Sequence, residues 1–581
     1  MTKNGLGLPT VAYFSMEIAL DRNIPTYSGG LGVLAGDTLR SAADLGVPIV
    51  AVTLVYRKGY FQQHLDRQGS QTESPQDWSP EQVLEEVPVR VTVNVEGRPV
   101  KVRAWRYTIT GYNGDIVPVY LLDTDLPENS EWDRKITDSL YGGDQRYRLC
   151  QELVLGFAGQ EMLRRLDLTI GNYHMNEGHS ALLSLGLMER RLAQSFAGRV
   201  KQLDIDGIQR TCVFTTHTPV PAGHDQFPRS LAEQVLGPEK IALLDETEAW
   251  HGDMLNMTYL ALRFSGYVNG VAMRHGEVSR GMFPKYAINA ITNGVHAVTW
   301  TSRPVQALFD RYIPAWRNDN NYLRYAISIP LEQIRQTHNE SKQELFREIE
   351  ALNGARLDPE VLTLGFARRA STYKRADLLF SDVERLRAIA RNIGPIQLVY
   401  GGKAHPRDEG GKDLIRSVFS GFSRLSDAIR TVYVENYDLH WGKMLTSGVD
   451  LWLNTPMRPQ EASGTSGMKA AMNGVPSFSI LDGWWVEGCL EGVTGWSIGD
   501  QASTGDGQLE VKDLYDKLER QILPLFYGRP EGYTEMRRSA IALNGSFFNT
   551  QRMVLQYVGN AYTHRAEAAA RGAAEGVVSS A

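Results

Sequence analysis

Lys469 stands in a setting that calls for a chemical explanation. It ends the stretch Glu461-Ala-Ser-Gly-Thr-Ser-Gly-Met-Lys469, which follows the apolar run Val449-Asp-Leu-Trp-Leu-Asn454. That run reads as a buried parallel strand, residues 468–473 as a short helix closed by Gly474, and 475–481 as the next strand. Strand, small-residue loop, helix and strand make a βαβ unit, whose loop belongs at the carboxyl edge of a parallel sheet, where such sheets bind ligands. Glycines and hydroxyls there let backbone N–H groups approach an anion. The first turn of a helix favours carboxylates over cations, so an anionic or covalent partner is expected for Lys469. A second concentration of charge is Gly365-Phe-Ala-Arg-Arg-Ala-Ser-Thr-Tyr-Lys-Arg375, with Arg368, Arg369, Lys374 and Arg375 at another strand end. Such a cluster suits a multiply charged anion; a solvated basic turn is the plainer alternative. His217, at the end of Cys212-Val-Phe-Thr-Thr216, is as readily structural as functional.

The elements that must position these groups follow an α/β rhythm. Near the start, Val11-Ala-Tyr-Phe-Ser leads to the glycine turn Tyr27-Ser-Gly-Gly-Leu-Gly32, a helix with apolar residues at Leu31, Leu34, Ala35, Thr38, Leu39 and Ala42, and a buried strand from Val47. Residues 87–123 differ: Val87, Val89, Val91, Val93 and Val95 alternate with other residues up to Glu96-Gly-Arg-Pro99, which predicts antiparallel strands inserted in the first half. Residues 144–166 and 179–195 read as amphipathic helices. In the second half, 362–367, 396–400, 431–434, 449–454 and 475–481 are predicted strands with helices between, and 301–350 is predicted helical, bridging the halves. The Ala-rich end, 561–581, is expected to be partly mobile.

A chain of 581 residues is too long for one core and predicts at least two large domains. A net charge of −6 without a basic run gives no support for nucleic-acid binding or a polybasic membrane anchor. The three cysteines, Cys150, Cys212 and Cys489, fit neither a disulfide framework nor a zinc site, and suit a reducing compartment. Glu17 interrupts the apolar run near the N-terminus and no small-residue cleavage site follows, so no signal peptide is expected. No stretch reaches the roughly 18–20 apolar residues of a membrane span. A cytoplasmic protein is expected, with no metal.

Glu-Ala-Ser-Gly-Thr-x-x-Met-Lys resembles the cofactor-lysine motif of the α-glucan (glycogen, starch, maltodextrin) phosphorylases, and further motifs in the family's order extend the resemblance over roughly residues 10 to 560. It implies two Rossmann-type domains facing across a deep cleft, the GT-B glycosyltransferase architecture: 1–290 with the antiparallel β meander (glucan and phosphate side), 291–560 (cofactor side), and the 561–581 tail. It implies pyridoxal 5′-phosphate as a Schiff base on Lys469. Arg369 and Lys374 would hold the substrate phosphate, Tyr373 would lie near the sugar, and Arg368, usually lysine in the better-known members, would meet the cofactor phosphate. Gly29, Gly30 and Leu31 resemble the family's glycine loop, although Ser28 stands where asparagine is usual. His217 matches the histidine beside the transferred glucose. His179, in Asn176-Glu-Gly-His179, matches a residue of the site wall, with Glu177 and Gly178 replacing a shorter acid and a threonine. Asn293, Glu461, Ser463 and Gly464 would bind glucosyl hydroxyls, Thr465 and the Ser466 amide the cofactor phosphate, and Trp300 and Tyr437 would pack on the cofactor. Trp484 and Trp485 could stack on sugar faces or lie in the core.

The implied reaction is reversible phosphorolysis of terminal α-1,4 bonds of an α-glucan by inorganic phosphate, giving α-D-glucose 1-phosphate with retention. A homodimer is implied by the family alone. Because the glycine loop begins by residue 29, no N-terminal regulatory arm and no allosteric control of that kind are expected. The rivals are a retaining nucleotide-sugar glucan synthase and a catalytically inactive glucan-binding homologue. In many families the synthases of this fold carry a second glutamate where Lys469 stands, and a binding module needs no such lysine.

Overall fold

The computed structural model describes residues 8–194, 200–247, 250–500 and 507–563. Most of the expected mobile tail lies outside the described residues. The chain divides into two compact units: unit 1 holds residues 1–60, 75–292 and 553–581, and unit 2 holds 61–74 and 293–552. Two segments thus depart from a division by sequence order. Residues 61–74 belong with unit 2, and those from 553 onward with unit 1.

Unit 1 is built on a nine-stranded sheet. Its strands are β1 (Val11–Phe14), β2 (Ile49–Leu54), β3 (Glu85–Val95), β4 (Arg98–Thr110), β5 (Ile116–Asp123), β6 (Asn172–Asn176), β7 (Cys212–Thr215), β8 (Tyr267–Gly270) and β9 (Asn289–Ala290). Their order is β9-β8-β7-β6-β1-β2-β5-β4-β3; β9 through β5 run parallel, and β5-β4-β3 is an antiparallel meander. β1 is apolar and buried along its whole length because both faces of the sheet are covered. Ala12 and Phe14 of β1 face one core with Val52 and Met175, while Val11 and Tyr13 face another with Leu39, Ala51 and Tyr557. Met553, Val554, Tyr557, Ala561 and Tyr562 cover that second face, where Tyr562 Oη bonds Nδ1 of His174 at 2.7 Å.

Unit 2 carries a six-stranded parallel sheet of β10 (Leu362–Ala367), β11 (Ile396–Gly401), β12 (Arg430–Val434), β13 (Leu451–Asn454), β14 (Ser477–Ile480) and β15 (Gly495–Ile498), in the order β12-β11-β10-β13-β14-β15. This is the doubly wound order, which reverses direction between its first strand and its fourth. Unit 1 repeats it: β1 lies between β2 and β6. The switch points are therefore β1/β6 and β10/β13, and the segments leaving those four strands carry most of the residues singled out above; His217, Asn293, Trp300 and Tyr437 follow β7, β9 and β12. The segment 301–350 is helical at Arg303–Tyr312, Asn320–Ser328 and Leu331–Asn353, and belongs to unit 2.

Two features brace unit 2. Asp450, just before β13, is 2% exposed and accepts from Lys342 Nζ (2.6 Å), the Thr363 amide (2.9 Å), Arg537 (2.6 Å) and His338 (3.0 Å). It ties two helices to the sheet. The hairpin Gln62–Leu65/Gln71–Ser74 docks through side-chain amides: Gln63 donates to the Gly402 carbonyl, Gln71 to the Ala404 carbonyl, and both accept from main-chain amides, Asn436 and Ala404 respectively. Among the described residues no helix is long and apolar enough to cross a membrane.

Candidate active site

In unit 2 the loops after β10 and β13 meet at one carboxylate. Arg368 and Lys374 Nζ each donate to Oε2 of Glu461 at 2.6 Å, and Arg368 also donates to Asn454 Oδ1 at the end of β13. Glu461 is 7% exposed. Burial alone would raise its carboxyl; the Arg368 and Lys374 charges outweigh that and hold it at about 2. Two cations share one carboxylate, so the cluster retains positive charge for a further anion. Tyr373 is half-buried with the Lys374 ammonium over its ring at 4.3 Å, and Arg369 is exposed beside them. Arg375, the fourth cation of the run, faces elsewhere: it donates to the Thr455 and Pro456 carbonyls and pairs with buried Glu510 at 2.7 Å.

Gly464 has φ +72°, a backbone that favours glycine, and folds the loop back beside Glu461. The Ser463 hydroxyl is buried and makes no hydrogen bond among the described residues, as is Asn293 Oδ1. Orphaned buried polar atoms of this kind mark places where a ligand or water completes the bonding. Thr465 precedes the helix Ser466–Met472, and Ser466 Oγ accepts from Trp452 Nε1 at 3.1 Å. Lys469 is 6% exposed, with Nζ 3.5 Å from the Trp300 ring centre. Asn473 staples the pair, donating to the main-chain oxygens of both Trp300 and Lys469 at 2.9 Å. Tyr437 lies alongside: a Cβ on Gly442 would stand 3.0 Å from its hydroxyl and 3.4 Å from the Trp300 ring. Trp484 and Trp485 are core residues, 2% and 0% exposed, with Trp484 packed on Gly467, Gly488 and Phe548.

In unit 1 the loops leaving β1 and β6 meet in the same way. Glu17, 2% exposed, accepts from the Ser28 amide (2.6 Å), the Gly29 amide (3.2 Å) and Tyr141 Oη (2.9 Å). The Gly29 amide thus serves the fold. A Cβ on Gly29 or Gly30 would meet nothing within 4 Å, whereas on Gly32 it would stand 2.8 Å from Glu17 and on Gly36 2.1 Å from the Ala19 carbonyl. Gly32 and Gly36 serve close packing; Gly29 and Gly30 face open space.

Glu177, at φ +80°, organises the histidine loop. Its Oε2 accepts from the His217 amide at 2.7 Å and Thr218 Oγ1 at 3.0 Å, and its Oε1 from the Gly178 amide at 2.8 Å. His217 Nε2 donates to Asn176 Oδ1 at 2.7 Å. Burial, with repulsion from His275, His179 and His174, holds the His217 imidazole neutral, which leaves Nδ1 as its acceptor. His179 is more deeply placed, 2% exposed, and its Nε2 accepts from the Met16 amide at 3.0 Å across the β1/β6 switch point. Burial drives its pKa down to about 3, so it joins the two strand ends as a neutral strut.

Glu17, Glu177, Asn454 and Asn473 were not singled out as site residues from sequence. For Asn473 the signal was the Asn-Gly pair ending a helix; for the others it was a polar residue at or just past the end of a buried strand.

The carbohydrate phosphorylase family model matches residues 18–117 and 224–493. The chain is 38% identical to a maltodextrin phosphorylase of Thermococcus litoralis, over 95% of this chain and 70% of that protein. It is 36% identical to a glycogen phosphorylase of Mycobacterium tuberculosis (96% and 71%) and 33% identical to one of Aquifex aeolicus (95% and 86%). The chain belongs to the carbohydrate phosphorylase family.

Proposed function

We propose that this chain is an α-1,4-glucan phosphorylase. It transfers the terminal glucosyl unit of an α-glucan to inorganic phosphate, reversibly and with retention, and carries pyridoxal 5′-phosphate on Lys469. The observation that carries the reading is the convergence of Arg368 and Lys374 on Glu461 at the β10/β13 switch point, in the loop that leads to a buried lysine on a tryptophan face.

The residues around Lys469 fit the cofactor. Trp300 and Tyr437 offer flat walls, Gly442 leaves no side chain between them, and Arg368, Thr465 and the Ser466 amide supply partners for its phosphate. Bound there, it would supply a phosphate group able to donate and relay a proton beside the substrate phosphate.

The chain's own residues do the rest. Arg369 and Lys374 hold the substrate phosphate, and their charge offsets the repulsion between two phosphates brought together. Glu461, Ser463, Gly464 and Asn293 take glucosyl hydroxyls, with Tyr373 beside them. The Glu461 carboxylate is ionised throughout the neutral range, which makes it a hydroxyl acceptor and leaves it no proton to donate. Proton transfer from the substrate phosphate frees the glycosidic oxygen, and positive charge develops on the sugar ring. The main-chain carbonyl of His217 stabilises that charge, and its neutral imidazole does not oppose it. Phosphate then adds on the face from which the glucan left. Gly30 and Leu31 amides face the phosphate and the glucosyl unit, and His179 braces the wall. A homodimer and a cytoplasmic setting are expectations of the family resemblance.

Two measurements test it. Purified protein given phosphate and glycogen or maltodextrin should release glucose 1-phosphate. Borohydride reduction after loading with pyridoxal phosphate should leave a phosphopyridoxyl group on the Lys469 peptide. Absence of that adduct would sink the reading and make a nucleotide-sugar donor the next to try.

A further inference from the structure

The loop after β14 grips the loop after β13 at three points. Asp482 Oδ2 accepts the Glu461 amide at 2.9 Å, the Trp484 amide donates to the Ser463 carbonyl at 2.8 Å, and a Cβ on Gly483 would stand only 2.3 Å from that same carbonyl oxygen. The other Asp482 oxygen accepts the Gly483 amide at 3.0 Å, and the side chain is 2% exposed. Two charged groups face it, the Glu461 carboxylate and the Lys374 ammonium; Arg368 pairs with Glu461 behind them. Burial, reinforced by Glu461, raises the Asp482 carboxyl to about 6, against the opposing pull of the two amides and Lys374. It is ionised at neutral pH and protonates in mild acid.

We propose that Asp482 is a positioning residue whose charge trades anion affinity against glucosyl affinity at Glu461. The inference rests on the phosphorolysis reading. Ionised, Asp482 fixes the Glu461 amide, and with it the hydroxyl-binding loop 461–464, while removing one unit of positive charge from the Lys374 cluster. Protonated, it is a poorer acceptor for the amide and leaves the cluster one unit more positive. The loop loosens its hold on the sugar as the cations strengthen their hold on an anion. An aspartate serving the fold alone would weaken both together.

The test uses holoenzyme and sulfate, whose charge is constant through the range, as a competitive probe of the phosphate site. In wild type, from about pH 8 down to about pH 5, the sulfate inhibition constant should fall and the glucan KM rise, both with a midpoint near that of Asp482. In D482N both should stay near the wild-type acid values. At pH near 7.5 that means sulfate binding roughly threefold tighter and a glucan KM roughly fivefold higher. The cofactor phosphate titrates in the same range, so the wild-type series is read against D482N and, should that variant fold poorly, against D482E, which keeps a carboxyl at the position and should keep the pH dependence. A sulfate constant flat with pH, or both constants worsening together in a folded D482N, overturns the inference. Wild-type protein that releases no glucose 1-phosphate overturns the underlying reading instead.

Discussion

The ammonium of Lys469 lies 3.5 Å above the centre of the Trp300 ring, and one residue, Asn473, holds the main chain of both. The flat face that accommodates a cation can equally cover an aromatic cofactor. Trp300→Leu removes a ring-on-ring contact with the cofactor worth about 0.5–1.5 kcal/mol. Pyridoxal phosphate should then dissociate roughly tenfold faster, followed by its absorbance after gel filtration. Trp300→Phe should retain most of the cofactor and Asn473→Ala should lose it. Wild-type retention in Trp300→Leu would remove Trp300 from the site.

Glu461→Gln leaves Arg368 and Lys374 buried without their carboxylate. Breaking a buried ion pair from one side costs about 3–5 kcal/mol, so the melting temperature should fall by several degrees. Sulfate should restore part of the loss, because an anion binding the same cations stabilises the folded state. Phosphorolysis should drop by roughly two orders of magnitude. A variant with wild-type stability that ignores sulfate would show that the triad is not the anion site.

Glu177 binds the His217 amide while its own backbone sits at φ +80°. Glu177→Gly relieves the backbone strain and loses the acceptor, and Glu177→Gln keeps the strain with a weaker acceptor. Both should lower kcat about tenfold through a displaced His217, since charge-assisted bonds to a carboxylate are roughly twice as strong as neutral ones. The sulfate inhibition constant, set chiefly by Arg369 and Lys374, neither of which Glu177 touches, should stay within about twofold of wild type. A large change in sulfate binding would contradict the assignment.

Asp450 is held well below the usual carboxylate range: burial opposes ionisation, and Lys342, His338 and Arg537 override it. A depressed folded-state pKa contributes stability that is complete above the unfolded value of about 4 and is lost as pH falls through the folded one. Nearby His338, lowered to about 4 by burial, adds a loss of stability as pH falls from about 6.5, where the unfolded chain begins to take up the proton. Asp450→Asn should cost about 3–5 kcal/mol at neutral pH, with the difference from wild type shrinking below about pH 4. Urea unfolding at several pH values measures it; a deficit unchanged by acid would exclude the ionised pair as its source.

Sequence periodicity located the parts of the fold whose signals are local. Leu362–Ala367 is short and largely apolar, which reads as a candidate strand, and its loop carried visible charge. The strand Gly495–Ile498 escaped notice because Gly-Trp-Ser-Ile has no apolar run; pairing with β14 makes it a strand. The hairpin around Gln63 and Gln71 shows no local preference for either unit, since its side-chain amides recognise the main chain of a loop more than 300 residues away. In the site, motif spacing singled out Lys469, Glu461 and Lys374 but could not separate Arg375 from its neighbours, because its partner Glu510 lies on a helix beyond the motif. The Trp484–Trp485 pair, open to two readings in the sequence, is decided by burial.

The chain passes between the units at 60/61, 74/75, 292/293 and 552/553. A ribosome making this protein therefore completes the two halves in an unexpected order. Unit 1, whose strands emerge first, must wait for the final segment, where Tyr557 bonds Thr215 and Asn269 and Tyr562 bonds His174. Neither unit can be cut out as one continuous fragment, and a message truncated near residue 550 would yield a protein whose earliest sheet was never closed.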